Sequence, residues 1–159
     1  MTGQEYSHLV ARYVVKNFEK RGIKVYREVN VGTSIIGKSR RIDVYVYHKP
    51  NNRALAIECK YQDSPGTVDE KIHYTLQDLR ALRMPAALVY AGRGFSEGVL
   101  HLLQGSEIAA YCLPDKKLRR QGRRQGKPND FGTWQLDHIL SMTFDWWDVI
   151  LENKKAVTL

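Results

Sequence analysis

Two neighbouring segments alternate between apolar and polar residues, the pattern of a β-strand that is covered on one face. The first spans residues 40–48 and the second spans residues 54–62. Their apolar positions are Ile42, Val44 and Val46 in the first segment and Leu55, Ile57 and Cys59 in the second. The residues between them, Pro50-Asn51-Asn52-Arg53, favour a turn because Asn tolerates positive φ. The pattern therefore predicts a β-hairpin with one apolar face and one polar face.

The register of this hairpin decides which polar side chains become neighbours. A loop centred on Asn51 and Asn52 pairs Asp43 with Lys60. Asp43 and Glu58 then become diagonal neighbours, about 7–8 Å apart at the backbone. A slip of one residue would move Asp43 to the apolar face. The predicted register thus places two carboxylates and one ammonium together on the polar face.

The rest of the chain alternates between helical and extended patterns. In chain order we predict a helix at 3–21, strands at 23–31, 40–48 and 54–62, a helix from 68 to about 83, a strand at 86–90, a helix at 96–104 and a strand at 107–113. Thr67 is predicted to cap the second helix, with Glu70 as its capping-box partner. The order α-β-β-β-α-β-α-β combines a strand meander with a strand–helix–strand crossover. It predicts an α/β fold with a mixed central sheet flanked by helices.

The C-terminal part of the chain predicts a further helix. Apolar residues recur there at spacings of four and three, at Leu136, Leu140, Phe144, Trp147 and Leu151. Such a helix either docks on the sheet or forms a dimer interface, for which the three tryptophans are suitable anchors. The sequence leaves both alternatives open.

The polar face of the hairpin carries the chemistry of a hydrolytic metal site. Carboxylates bind Mg²⁺, and a neighbouring lysine can stabilise a phosphate or a metal-bound water. Charged residues on an ordinary solvated strand face are the alternative explanation. Because both acids and the lysine fall on one face, the combination favours metal-dependent phosphodiester cleavage.

These residues also carry a resemblance to a known family. With Asp43, Glu58 and Lys60 on adjacent strands, the chain resembles the PD-(D/E)XK, or restriction-endonuclease-like, nuclease superfamily. The resemblance extends in element order over about residues 3–113, which matches the αβββαβαβ core of that superfamily. Ile42 stands where the motif often has proline.

The resemblance implies a role for each motif residue. Asp43 and Glu58, with the backbone carbonyl of Cys59, are expected to bind Mg²⁺ or Mn²⁺. Lys60 is expected to orient or activate the attacking water, or to stabilise the pentavalent phosphate. Gln62, further along the same face, is similar to an additional polar residue that some members carry.

A further metal ligand is expected from the first helix in many members of the superfamily. Glu5 is the candidate in this chain, and Glu19 and Glu28 are weaker ones. However, Thr2 and Glu5 also have the spacing of a capping box, and an acid is favourable in the first helical turn. The two roles for Glu5 remain open at this point.

Composition indicates a polyanionic partner. The chain has 159 residues, enough for one domain with a real core, a formal net charge of +8 and a sequence pI of about 9.5. Residues 116–127 hold seven cations and no acid. We predict that this segment contacts the DNA backbone rather than bases, although a solvated loop is the alternative. Its cations are Lys116, Lys117, Arg119, Arg120, Arg123, Arg124 and Lys127.

The cysteines and the hydropathy bear on location. Cys59 and Cys112 both lie in apolar runs and are expected to be buried free thiols, which suits a reducing cytoplasm. Neither a membrane span nor a signal peptide is expected. The predicted organisation is a nuclease core at 1–113, a basic loop at 114–133 and a C-terminal helical extension of the same domain at 134–159.

These features together predict a metal-dependent DNA endonuclease, expected to act as a homodimer. Little of the chain is left for a separate recognition domain, so structure-selective or weakly sequence-specific cleavage is expected. A Holliday-junction resolvase and a compact restriction endonuclease are alternatives within that class. A catalytically inactive DNA-binding module and an RNA-processing nuclease are alternatives outside it.

Overall fold

A mixed five-stranded sheet forms the centre of the protein. The computed structural model describes residues 1–115, 117 and 132–158. The strands are β1 (Ile23–Thr33), β2 (Ser39–His48), β3 (Arg53–Tyr61), β4 (Ala86–Ala91) and β5 (Ala109–Tyr111). The described helices are α1 (Gly3–Phe18), α2 (Val68–Arg80), α3 (Glu97–Gln104) and α4 (Trp134–Phe144). The strands lie side by side in chain order, antiparallel from β1 to β3 and parallel from β3 to β5. This arrangement confirms the predicted α/β fold with a mixed sheet.

Helices pack on both faces of this sheet. On one face α1 and α4 cover a large core that includes Val44 and Ile57. On the other face α2 and α3 cover a smaller core that includes Ala56 and Leu88. Because Ile57 and its neighbour Ala56 belong to different cores, the central strand β3 is covered on both sides, as expected where parallel pairing begins.

The β2–β3 hairpin has a different register from the predicted one. The ladder starts where His48 pairs with Arg53 and ends where Val44 pairs with Ile57. A short 3₁₀ turn and a left-handed Asn52, with φ of 52°, connect the strands, so the loop is centred one residue earlier than predicted. Each residue of β2 therefore pairs with a β3 residue two positions earlier in the chain than predicted. Since side chains alternate with a period of two, the predicted polar and apolar faces of β3 are kept.

The β1–β2 ribbon bends at the level of Glu28, which has a φ of 56°. Beyond this residue, Val31 and Ile42 pack into the core beneath α2. The sequence pattern places Ile42 with Val44 on one face, and that prediction is wrong. The far half of the ribbon therefore packs on the α2 side of the sheet.

A buried ion pair fixes the far half of the ribbon to α2. The Arg40 guanidinium contacts the Asp78 carboxylate, and their side chains are 8% and 2% exposed. Asp78 Oδ1 also accepts a hydrogen bond from the backbone N–H of Ile35, at 2.8 Å. No sequence pattern predicted this pair, because its members lie on elements that meet only in the folded chain.

The C-terminal helix ends earlier than its apolar spacing predicts. Helix α4 stops at Phe144, and Asp145 adopts a left-handed conformation with φ of 60°. The change of direction leaves Trp147 and Leu151 on the surface, 55% and 88% exposed, whereas both were predicted to continue the apolar stripe. Trp146 is buried instead.

Both cysteines are buried free thiols, as predicted. Burial raises the pKa of the Cys59 thiol well above its usual range, which keeps the thiol neutral. Among the described residues, no helix has the length and apolar character needed to cross a membrane.

Candidate active site

Strands β2 and β3 separate where the two acidic residues lie. Their last pair is Val44 with Ile57. One step further, the same register places Asp43 opposite Glu58, whereas the predicted register placed it opposite Lys60. In the gap, Asp43 Oδ2 accepts a hydrogen bond from the backbone N–H of Cys59, at 2.7 Å. The Asp43 carboxylate thus replaces the backbone carbonyl that a partner strand would supply as hydrogen-bond acceptor.

The backbone carbonyl of Cys59 also faces this gap. Within a strand, the N–H and C=O of one residue point to the same side. Because the N–H of Cys59 points to Asp43, its carbonyl also faces the side from which β2 has departed. Two carboxylates and one carbonyl oxygen are therefore directed to one region.

Lys60 and Glu58 form a close pair beside this region. Lys60 Nζ donates a hydrogen bond to Glu58 Oε1 at 2.7 Å, and the two side chains are 21% and 15% exposed. The second oxygen, Glu58 Oε2, is buried and has no hydrogen-bond partner among the described residues. A buried carboxylate oxygen without a partner is energetically costly, and a bound cation would satisfy it.

The electrostatic surroundings of Asp43 also favour a bound cation. Burial, together with the negative charge of Glu58, raises the pKa of Asp43 to about 6. The Cys59 N–H and the Lys60 ammonium oppose this shift and only partly offset it. Asp43 thus has too little positive charge around it, which a bound cation would supply.

These donors fit a hard divalent cation. Mg²⁺ is usually held by one or two carboxylates and completes its shell with water and substrate oxygens. The described residues contain no cluster of three or more His, Cys, Asp or Glu side chains that could hold a metal by themselves. The donor set of Asp43, Glu58 and the Cys59 carbonyl suits Mg²⁺ or Mn²⁺ and lacks the thiolate or imidazole donors that Zn²⁺ prefers.

Glu28 is a third acid at the level of the pair. The β1–β2 register pairs Arg27 with Val44 and Val29 with Ile42, so Glu28 lies opposite Asp43. Its negative charge contributes to the raised pKa of Asp43. The sequence ranked Glu28 below Glu5 as a candidate ligand, because the register and the bend in β1 could not be read from it.

Glu5 makes the two bonds of a capping box. Thr2 Oγ1 accepts from the backbone N–H of Glu5 at 3.2 Å, and Glu5 Oε2 accepts from the backbone N–H of Thr2 at 2.6 Å. These bonds lower the pKa of the Glu5 carboxyl. Glu5 also lines a cleft of about 760 Å³ together with Glu28 and Arg41. The hydrogen bonds show that the Glu5 carboxylate acts in capping helix α1.

The substitution Glu5→Gln separates the two roles of this residue. Glutamine can make the same capping bonds but is a poor ligand for a hard cation. We expect Glu5→Gln to keep the melting temperature unchanged, since capping is retained. If Glu5 serves only as a cap, the rate of the expected cleavage should also stay within about twofold of wild type, since no metal ligand is lost. A loss of activity with unchanged thermal unfolding would instead assign Glu5 to the metal site.

Gln62 connects β3 to the start of α2. Its side chain is buried, with Oε1 accepting from the Val68 N–H at 3.1 Å. Its Nε2 donates to Asp69 Oδ1 at 3.0 Å and to the Gly94 carbonyl at 2.7 Å. Gln62 thus supplies the N-terminal cap of α2. Thr67, predicted as that cap, makes no capping bond with its side chain, so that prediction is wrong.

Two glycines allow the backbone around Gln62 to pack closely. A Cβ at Gly92 would lie 2.1 Å from the carbonyl oxygen of Gln62, and one at Gly94 would lie 2.3 Å from that of Ser64. Gly92 also has a φ of 110°. Side chains at these positions would push apart the loops that follow β3 and β4, close to the end of the strand that carries Glu58 and Lys60.

The basic segment is the part of the predicted site that the structure does not describe. Of its seven cations, only Lys117 belongs to the described residues, where it is exposed. The other cations lie outside them: Lys116, Arg119, Arg120, Arg123, Arg124 and Lys127.

Two solved structures are similar to this chain, and the first of them supports the fold. The crystal structure of the protein of unknown function AF1548 has a TM-score of 0.50 to this chain at 17% identity, covering 89% of this chain and 66% of that one. A repair endonuclease from Pyrococcus abyssi has a TM-score of 0.38 at 18% identity, covering 65% of this chain and 44% of that one. The chain thus spans less than two thirds of the length of either. No curated protein matches the sequence at a significant level.

A family model gives the assignment. The model described as PD-(D/E)XK nuclease superfamily domain matches residues 2–147, which include the strands that carry Asp43, Glu58 and Lys60. Both the extent of this match and the geometry around the separated strands agree with the sequence resemblance. The chain therefore belongs to the PD-(D/E)XK nuclease superfamily.

Proposed function

We propose that this protein is a metal-dependent DNA endonuclease that hydrolyses phosphodiester bonds. The observation that carries the proposal is the pair of carboxylates, Asp43 and Glu58, held beside Lys60 where β2 and β3 separate. Family membership supports nuclease chemistry on its own. Cleavage of DNA and dependence on Mg²⁺ or Mn²⁺ are the specific parts of the proposal.

Each residue of the site has a role in this proposal. Asp43, Glu58 and the Cys59 carbonyl would hold the cation, which would supply Lewis-acid stabilisation of the phosphate charge. The Cys59 N–H fixes the orientation of the Asp43 carboxylate through Oδ2. Lys60 orients Glu58 through their hydrogen bond, and its partly exposed ammonium is available to the attacking water or a phosphate oxygen.

The specificity of cleavage is also part of the proposal. The described residues form one α/β core without a second folded unit, which suggests structure-selective or weakly sequence-specific cleavage. Two narrower activities, a Holliday-junction resolvase and a compact restriction endonuclease, would use the same site. We further propose that the protein acts as a homodimer, since cutting both strands of a duplex needs two sites, and that it works in the cytoplasm, which suits its buried free cysteines.

A substrate panel tests the proposal. Plasmid, linear duplex, single strand, four-way junction and RNA are incubated with the protein and Mg²⁺, Mn²⁺ or a chelator. We expect metal-dependent cleavage of at least one DNA substrate by wild type, and its loss in Asp43→Ala and Lys60→Ala. Glu97→Gln, a change on the exposed surface of α3, serves as the matched control and is expected to cut normally.

The panel also distinguishes the alternatives. Binding of DNA without cleavage under any metal condition would favour an inactive DNA-binding module. Cleavage of RNA alone would favour an RNA-processing nuclease. Equal cleavage by wild type and Asp43→Ala would show that Asp43 is not a catalytic residue.

Removal of residues 116–127 tests the predicted contact with the DNA backbone. Each neutralised phosphate adds about 0.9 to the slope of log affinity against log salt. We expect the deletion to weaken duplex binding and to lower that slope by several units, because seven cations are lost. Affinity measured between about 50 and 200 mM salt checks this prediction. An unchanged slope would show that the segment does not bind DNA.

A further inference from the structure

Three tyrosines share the sheet face opposite α1, and together we call them the tyrosine face: Tyr26, Tyr45 and Tyr47. The neighbours of Tyr45 on β2 pack into the core beneath α1, so by alternation Tyr45 points to the opposite side. The register pairs Tyr26 with Tyr45. Tyr26 is 47% exposed, and Tyr45 and Tyr47 are partly exposed. An exposed aromatic row on a sheet is therefore open to a ligand.

The tyrosine face continues directly into the candidate active site. Tyr45 is two residues from Asp43 on β2, a separation of about 7 Å along the strand. It pairs with Ala56, which is two residues from Glu58 on β3. The tyrosine row and the carboxylate row are thus successive rows of one sheet. Ala56 itself is fully buried in the core beneath α2 and α3, so the open part of the face is formed by Tyr26, Tyr45 and Tyr47 with Lys24.

The charge of this surface suits a nucleotide strand. The exposed Lys24 lies opposite Tyr47 at one end, and Lys60 lies on the other side of the carboxylates. The tyrosine face itself contains one cation and no acid, at Lys24, Tyr26, Tyr45, Tyr47 and Ala54, and the next row of the sheet carries the acids Glu28, Asp43 and Glu58. Aromatic rings stack on bases and cations neutralise phosphates, which is the usual composition of a surface that binds single strands.

The size of the face argues against a protein partner. A tyrosine buries at most about 150–250 Å² when it is fully covered, and these three are already partly buried. Their remaining exposed area is well below the roughly 800 Å² per partner of a stable protein interface. It is enough for one or two stacked bases.

We propose that the tyrosine face holds unpaired nucleotides next to the scissile phosphate. The substrate class is then DNA with a single-stranded segment at the cut site, such as a flap, an overhang or an open junction. Bases inside a duplex are already stacked on one another and cannot lie on the tyrosine rings. This inference rests on the proposed nuclease function and narrows its substrate.

Binding of a fluorescent oligonucleotide tests the inference without cleavage. A single strand that contains 2-aminopurine is titrated into Asp43→Asn protein in chelator, since stacking on an aromatic ring quenches its fluorescence. We expect quenching, and we expect added Tyr26→Ala or Tyr45→Ala to weaken binding about 5–100-fold and abolish the quenching. The variants Tyr26→Phe and Tyr45→Phe keep the ring and should bind normally. Trp147→Ala, at another exposed aromatic residue, should also bind normally.

Cleavage assays separate this inference from the proposed function. With wild-type residue Asp43, Tyr26→Ala and Tyr45→Ala should raise KM for a flapped substrate, whereas Tyr26→Phe and Tyr45→Phe should not. Wild type that cuts DNA while the tyrosine variants bind and cut flaps equally well would overturn the inference and leave the nuclease function intact. Wild type that quenches 2-aminopurine but cuts nothing would retain the binding face and refute the nuclease function. Tyrosine variants that change the sedimentation mass would identify a protein interface and overturn the inference.

Discussion

Asp43→Asn is expected to abolish cleavage and at the same time to stabilise the fold. The carboxylate is held in a partly buried place beside Glu58, and its pKa is raised to about 6. Asparagine keeps an oxygen that can accept from the Cys59 N–H but removes the charge. Loss of a proposed metal-binding carboxylate should lower the cleavage rate by at least about 100-fold. The stability gain at neutral pH should be about 1–3 kcal/mol.

The gain in stability should depend on pH with a definite sign. An acid whose pKa is raised by folding binds its proton more tightly in the native state than in the unfolded state. Wild type therefore loses stability as pH rises from the ordinary aspartate value of 3.8 through about 6, and the loss is constant above that range. The difference between Asp43→Asn and wild type should be near zero below about pH 4 and complete above about pH 6. Chemical denaturation in chelator, across that range, measures it.

A second aspartate provides the control of opposite sign. Asp148 is on the surface, where the Arg21 guanidinium lowers the pKa of its carboxyl. Asp148→Asn removes the same charge by the same substitution and should slightly lower stability above its pKa. If Asp43→Asn also lost stability near neutral pH, Asp43 would not lie in an electrostatically unfavourable place. Added Mg²⁺ should stabilise wild type more than Asp43→Asn, since only wild type keeps the full donor set.

Asp78→Asn is expected to lower the stability of the fold strongly. It removes the negative charge that faces Arg40, in a place where the two side chains are only 2% and 8% exposed. Breaking a buried ion pair by removing one partner typically costs about 3–5 kcal/mol, because the other charge stays buried. Asparagine can still accept from the Ile35 N–H, so the loss reports on the charge. The midpoint of urea unfolding should fall without a change in slope.

Two comparisons make the Asp78 result specific. The exposed acid Glu97 lies 3.8 Å from His101 Nε2 one turn further along α3, and Glu97→Gln should change stability by no more than about 0.5 kcal/mol. The double variant Arg40→Met with Asp78→Leu removes both charges and should recover most of the stability. A loss below about 1 kcal/mol in Asp78→Asn would show that the pair does not anchor the β1–β2 ribbon to α2.

The sequence by itself determined the order of elements and the faces of the central strand. Alternation over residues 54–62 placed Glu58 and Lys60 on one side of β3 and Ile57 on the other, as the structure confirms. Such local periodicities survive an error in register, because side-chain parity depends only on whether the shift is even. The family could be identified from the sequence for the same reason, because its motif depends on the spacing of residues along two strands.

Only the tertiary structure decided how the site is assembled. The exact turn put Asp43 opposite Glu58, and the parting of β2 from β3 let the Asp43 carboxylate bind the Cys59 backbone. Ile42 packs on the α2 side of the sheet, although Val44 on the same strand packs on the α1 side. These features depend on backbone torsions and on contacts between distant segments, and a hydrophobic pattern does not encode either one locally. The raised pKa of Asp43 has the same origin, because burial and the nearby charge of Glu58 exist only in the folded chain.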